Sequence, residues 1–392
     1  LVNLTVNLFL GLSVGVSVAV AQHYGAKNYT EVSETIHTAF SLSLILGVIV
    51  GAFGFFASRT MLEWMDSPAE VLEQSALYLR IFFLSIPASM VYNFGASILR
   101  AVGNTRQPLY YLSIAGVVNV ILNLVLVIRF HLGVAGVAWA TIIAQAVSAV
   151  LVLAVLMRTD SCVRVELRRL RVHWDMLKKI VRVGIPAALQ MAVTAFSNVF
   201  VQSYINHFGA DCMSGWTAYT KIDQLMFLPM QSLALSATTF VGQNLGAGDT
   251  PRAQQGVRRA LGISLAVTAV LMVPVLVFAP QLTAFFNRKA EVVAYGTLLL
   301  RYISPFYLLC CINQIYSGAL RGAGNSQVPM VIMLGSFVVF RQIYLYIVSH
   351  FITNTLLPLA MGYPAGWLVC SAATLLYYRR AALGRQRLVE DN

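Results

Sequence analysis

Long apolar runs broken by short polar stretches dominate the chain. A bilayer-spanning helix needs roughly 20 apolar residues in a row. Eleven such runs occur, near 1–21, 36–57, 77–98, 109–128, 133–157, 180–205, 217–241, 259–279, 295–319, 329–351 and 356–378. None shows the ~10-residue alternation of a membrane barrel strand, so the pattern predicts an all-α polytopic membrane protein. The one long polar break, 158–179, carries Arg158, Arg164, Arg168, Arg169, Arg171, Lys178 and Lys179. It divides the chain into a lobe over 1–157 with five spans, a linker over 158–179, a lobe over 180–378 with six spans, and a tail over 379–392.

Two of the polar breaks are copies of earlier ones. Arg100, Gly103, Asn104 and Pro108 recur as Arg321, Gly324, Asn325 and Pro329, 221 positions later. Gln22 and Gly25 recur at the same offset as Gln243 and Gly246, Arg80 as Arg301, and Arg158 as Arg379. One long period repeated once means two copies of one lobe. Equivalent spans run the same way, so the lobes are expected to be parallel repeats about an axis along the membrane normal. Shifting span 180–205 back by 221 places its counterpart before Leu1. The expected design is therefore two six-helix lobes, eleven spans of an inferred twelve, with one helix and about 40 residues preceding this sequence.

Turn chemistry accounts for most of the repeated residues. Arg100 and Arg321 end a span and snorkel to the headgroups. The Gly-Asn pairs supply tight turns, and Pro108 and Pro329 open the next helix, where a missing N–H costs nothing. Gly25 and Gly246 are expected as helix C-caps, with Gln22 and Gln243 beside the last carbonyls. The same loops also fit cytoplasmic hinges between paired helices.

Composition agrees with the pattern. The chain is 58% hydrophobic and 11% charged with a mean hydropathy of +0.73, against about 25% charged in soluble domains. A net charge of +12 would suggest nucleic acid in a soluble protein. Here the basic residues cluster at span ends, so lipid is the expected partner and nucleic acid is not. Of the Lys and Arg residues, 19 fall on the linker side of the spans and 7 on the other. This places the linker and C-terminus in the cytoplasm and the acidic stretch 58–76, with Glu63, Asp66, Glu70 and Glu73, outside. The five cysteines form no C-x-x-C, no Cys/His cluster has zinc spacing, and none of the six histidines pairs with a carboxylate in a recognisable motif. No metal, no cofactor and no enzymatic activity are expected.

The paired Gln-x-x-Gly-Ala turns, the paired Arg-x-x-Gly-Asn-x-x-x-Pro loops and the basic linker resemble the multidrug and toxic compound extrusion (MATE) family over the whole chain. Asn119-Val120-Ile121-Leu122-Asn123 and the run from Gly133 to Thr141 add to the resemblance. It implies a monomeric antiporter in a bacterial cytoplasmic membrane. Two lobes would rock about a central cleft, exporting amphipathic organic cations in exchange for Na⁺ or H⁺. A lipid-linked oligosaccharide flippase of the same superfamily is the alternative, but it calls for a more basic cleft.

Coupling of this kind calls for a carboxylate within the membrane, whose occupancy biases two states. None of the 15 Asp and Glu residues lies deep in a predicted span. Asp223 comes nearest, about two turns inside one end of span 217–241. It is either an interfacial residue paired with Lys221 or a neighbouring helix, or the ion site. Asn123 stands where some relatives of this family carry an acid, and Asn does not titrate. The remaining candidates for a cleft lining are Asn119, Gln190, Asn198, Gln202, Asn313 and Gln314. Arg341, a charge well inside span 329–351, must face a cavity or a partner. Pro87, Pro229 and Pro305 fall within spans and should bend them.

Overall fold

The computed structural model describes residues 2–64, 69–353, 355–381, 383 and 387–389, with backbone alone at 2–4, 69 and 196. Asp66 and most of the tail beyond 381 lie outside the described residues. Among the described residues every regular element is helical. Ten helices are long and apolar enough to cross a membrane, and eleven when the bent pair Glu70–Leu84 and Ile86–Ala101 counts as one span. The eleven predicted runs each fall on one of these. Contacts divide the chain into two compact units, Leu1–Gly184 and Ile185–Asn392.

The first unit contains α1 (Val2–Gly25), α2 (Tyr29–Trp64), α3 (Ala69–Leu84), α4 (Ile86–Ala101), α5 (Arg106–Asn123), α6 (Gly133–Arg158) and the start of α7 (Trp174–Asn206). Lipid offers no hydrophobic drive for helix pairing, so small residues that let backbones approach do that work. Gly47 and Gly51 of α2 lie against Pro87, and Gly54 lies against Phe83. Small residues and valine make up most of the inner half of α1, where Val16, Val18, Ala19, Val20 and Ala21 are fully buried. By contrast α5 is exposed nearly all round, at Leu109, Tyr110, Leu112, Ile114, Val117 and Val120 among others, and buries only Pro108 and Ala115.

Between α3 and α4 the chain bends by 45°. Ser85, at the break, turns its hydroxyl back to the Phe82 carbonyl at 2.6 Å, and Pro87 follows without an amide hydrogen. The polar break after α6 is shorter than its composition suggests, because α7 takes up 174–179. The rest is tied down onto α2. The Glu166 amide donates to His37 Nε2 at 3.1 Å and the His173 amide to Thr38 Oγ1 at 3.0 Å.

The second unit contains α8 (Ala210–Gly246), α9 (Thr250–Val277), α10 (Ala279–Phe286), α11 (Ala290–Ile303), α12 (Tyr307–Gly322), α13 (Gln327–Met333), α14 (Arg341–Ile347), α15 (Leu356–Ala360) and α16 (Gly362–Arg380). A 3₁₀ turn, Ser304–Phe306, holds Pro305 between α11 and α12, and a π-helical stretch, Leu334–Phe340, joins α13 to α14. Helix α12 has α8, α9 and α16 as neighbours. Its Gly318 and Gly322 meet the Ala234 and Thr238 carbonyls of α8, and Thr238 Oγ1 donates to the Gly318 carbonyl at 2.9 Å.

Helix boundaries obey the sequence period. The starts Tyr29 and Thr250, Ala69 and Ala290, Ile86 and Tyr307, and Arg106 and Gln327 each stand 221 apart, as do the ends Gly25 and Gly246 and the ends Ala101 and Gly322. All four repeated turns are built alike. Each closes its helix with paired bonds from the last two turn amides to carbonyls five and three residues back, the Schellman arrangement. The donors are Asn28 and Lys27, Asn104 and Gly103, Asp249 and Gly248, and Asn325 and Gly324, at 2.8–3.1 Å. The same Asn or Asp then opens the next helix, its side chain accepting the amide three residues on, at Glu31, Gln107, Arg252 and Val328. At Asn28 and Asp249, which directly precede their helices, this is the N-cap bond; Asn104 and Asn325 stand one residue before the caps Thr105 and Ser326.

Gly103 and Gly324 hold the left-handed position, at φ +90° and +95°. Gly25 and Gly246 do not cap as expected: each is the last helical residue, and the left-handed position falls two residues later, on Lys27 (φ 56°) and Gly248 (φ 77°). An L-residue in that conformation costs about 1–2 kcal/mol. Lys27 is exposed, so Lys27→Gly should stabilise the first unit by about 1 kcal/mol after the entropy cost of glycine. A denaturation midpoint that fell in this variant would contradict the assignment.

Candidate functional site

A cavity of about 680 Å³ opens within the second unit, lined from α7, α8, α12, α14 and α16 among others. Its one carboxylate is Asp223. The helix that carries it, α8, begins at Ala210, so Asp223 stands thirteen residues into the helix, or ~20 Å along it at 1.5 Å per residue. The helix extends past its apolar run because Ala210–Trp216 pack too. Cys212 and Trp216 are buried, and Gly215 lies against α11 at Val292 and Tyr295.

Asp223 Oδ1 accepts two phenol hydrogens, from Tyr307 at 2.7 Å and from Tyr219 at 3.2 Å. Tyr219 is one turn earlier on α8, and Tyr307 is the first residue of α12, set in place by the Pro305 turn. Lys221 also lines the cavity but is not the partner, since residues two apart on a helix do not face each other. Pro229 lies within α8. It withholds the amide that the Leu225 carbonyl would otherwise receive, and Leu225 lines the same cavity.

Aromatic rings form one wall. Phe227 lies 5.8 Å from Tyr307 and 6.1 Å from Trp367, and Trp367 lies 5.7 Å from Tyr307 and 5.8 Å from Tyr363, centroid to centroid. Next to this wall sits Arg341, the first residue of α14, only 1% exposed. Its Nη1 donates to Ser197 Oγ and Asn198 Oδ1, both at 3.4 Å. Its guanidinium lies over the rings of Tyr363 at 4.4 Å and Phe337 at 4.6 Å, within cation–π range. Tyr363 also donates to Asn198 Oδ1 at 3.2 Å. A side chain at Gly366 would press on the guanidinium.

The structure brings Asp223, Asn198, Asn313, Gln314 and Arg341 to one cavity. Other candidates lie elsewhere. Gln190 is buried, taking a bond from Arg321 Nη1 at 3.1 Å and giving one to Met333 Sδ at 2.7 Å. Gln202 donates to Asn206 one turn along α7 at 2.9 Å. Asn119 and Asn123 bond each other on α5 at 3.0 Å, in the first unit. Tyr219, Tyr307, Tyr363, Trp367 and Phe227 were not singled out by sequence. Only Tyr219 carried a signal, its four-residue spacing from Asp223 on one helix face.

Comparison with known proteins agrees with this fold. The chain matches the MatE family model over residues 1–125 and 186–347. It is 28% identical to the probable multidrug resistance protein YoeA of Bacillus subtilis, across 96% of this chain and 83% of that protein. It is 24% identical to the probable multidrug resistance protein NorM of Thermotoga maritima, across 98% and 84%. Among solved structures, a MOP-superfamily transporter from Pyrococcus furiosus superposes with a TM-score of 0.91 at 23% identity, over 96% of this chain and 84% of that one. The matched family model, together with ten or eleven spans among the described residues and turns repeated at a 221-residue period, places the chain in the MatE family of multi-pass membrane transporters.

Proposed function

We propose that the chain is a secondary active exporter of small amphipathic organic molecules, exchanging them for Na⁺ or H⁺ by alternating access as its two units rock. The observation that carries this reading is the cavity of the second unit, where an aromatic wall and a single carboxylate meet. Clefts of a few hundred Å³ lined by rings, with few polar groups, suit flat amphiphiles. Relatives carrying the name multidrug resistance protein support export as the direction.

Asp223 is the coupling group in this reading. A carboxylate held by neutral phenols can take a proton or hold a monovalent cation, and either change alters its bonds to α12. An organic cation and the coupling ion would then compete for one charge, which is what exchange requires. The linker and C-terminus face the cytoplasm, as the Lys and Arg distribution demands. Aromatic walls fit such ligands better than the pyrophosphate and sugars of a lipid-linked oligosaccharide.

Everted membrane vesicles loaded with the full-length protein test this directly. Ethidium accumulation should rise several-fold over empty-vector vesicles when a Na⁺ or a proton gradient is imposed, and collapse when it is dissipated. No gradient-dependent accumulation with either ion would sink the exporter reading.

A further inference from the structure

Arg341 is a buried cation with no carboxylate partner among the described residues. Its polar partners among the described residues are a hydroxyl and an amide oxygen, both neutral, both at 3.4 Å and both on Nη1. Nε has no hydrogen-bond partner. Guanidinium carries five N–H donors in a planar fork suited to a carboxylate or phosphate. A lone buried charge within a membrane is costly and marks function by default. Purely structural arginines relieve that cost with an acid or with several carbonyls; this one spends only one nitrogen, on two long bonds.

Its surroundings leave it poised rather than satisfied. Rings of Tyr363 and Phe337 flank the guanidinium and hold its plane. Asn198 is itself occupied by Tyr363. The residue lines the same cavity as Asp223, but Asp223 is engaged by two phenols. Counting the lining, Lys221 and Arg341 face one carboxylate, so one positive charge is in excess.

We infer that the preferred ligand of this cavity carries an acidic group on an aromatic body, and that Arg341 receives that group while the Phe227, Tyr363 and Trp367 rings hold the body. The inference rests on the reading of the cavity as the exporter's ligand site and ranks acid-bearing ligands, zwitterions above all, over pure cations such as ethidium, which use the Asp223 side of the site alone. A ligand cation, where present, goes to Asp223, and the acid goes to Arg341.

A matched dye pair tests it: rhodamine B as the free carboxylate and as its ethyl ester, which share ring system and cationic charge. Binding is read by fluorescence polarisation with the purified full chain in detergent. The free acid should bind about ten-fold tighter than the ester, the scale of one charge-assisted hydrogen bond. In Arg341→Gln the acid-to-ester preference should fall to about two-fold or less. Arg341→Lys keeps the charge without the fork and should keep an intermediate preference. Equal affinity of the wild type for acid and ester overturns the inference and leaves the exporter reading standing, whether or not either variant folds. A preference that survives Arg341→Gln also overturns it. Binding of neither dye overturns the ligand-site reading, and this inference with it.

Discussion

Asp223→Asn is expected to reduce gradient-driven dye accumulation about ten-fold or more, the scale of a typical coupling free energy. Asn is nearly isosteric with Asp and its oxygen still accepts from Tyr307 and Tyr219, so the bonds that now hold Asp223 at 2.7 and 3.2 Å survive in form. What disappears is the charge, and with it any change between two occupancies. The variant should therefore remain folded, with a thermal midpoint close to that of the parent, while its flux no longer responds to the ion gradient. Flux of parental size with parental ion dependence would remove Asp223 from the coupling site. Asp223→Glu, which keeps the charge but pushes it about 1.5 Å further, should fall between the two.

The largest expected effect on folding belongs to α12. At Gly318 and Gly322 its backbone lies directly on the Ala234 and Thr238 carbonyls of α8. The atoms in the way are main chain, not the ends of flexible side chains, so an added side chain must push two helices apart. Gly322→Val or Gly318→Leu should cost about 3 kcal/mol or more, within the range for overpacking at a fully packed contact. Separation also strips the Gly318 carbonyl of its bond from Thr238, in surroundings where water cannot replace it. The readout is the yield of monodisperse protein and its thermal midpoint in detergent. Parental values for both variants would mean that α8 and α12 do not touch as described. Gly262→Ala, where a Cβ meets open space, is the matched control.

Much of this architecture is legible in the sequence, for a physical reason. In a bilayer every span must satisfy its backbone internally, so length and apolarity alone locate helices. All eleven runs were found that way. The 221-residue period then predicted equivalent starts, and Ala69 with Ala290 or Ile86 with Tyr307 bear it out. Ends were less legible. Apolar runs understate helices whose polar ends are packed, as the early start of α8 at Ala210 shows. Caps were misread by two residues because Gly25 looks like a cap, whereas Lys27 holds the left-handed position.

The site itself was only half legible. Charged and amide residues stand out against an apolar background, so Asp223, Asn198, Asn313, Gln314 and Arg341 could be named. Which of them share a cavity depends on helix rotation, and amide spacing does not report rotation. Gln190 and Gln202 look equivalent to Asn198 along α7, but their side chains reach Arg321 and Asn206 instead. The aromatic wall was hidden by abundance: Tyr307 and Trp367 are distinguished from the other tyrosines and tryptophans only by what faces them.

The four repeated turns carry a mechanical consequence. In each, three or four residues separate two long helices, and one Asn or Asp takes part in both the closing and the opening bond set. Such a joint has almost no free torsion. Two helices joined this way turn as a single lever, whatever force acts on either arm. Compliance then falls to places where the chain breaks its bonding pattern, among them Ser85 in the first unit and Ser304–Phe306 in the second. The second of these carries Tyr307, so if Asp223 is the coupling group, a change of its charge acts directly on one of these breaks.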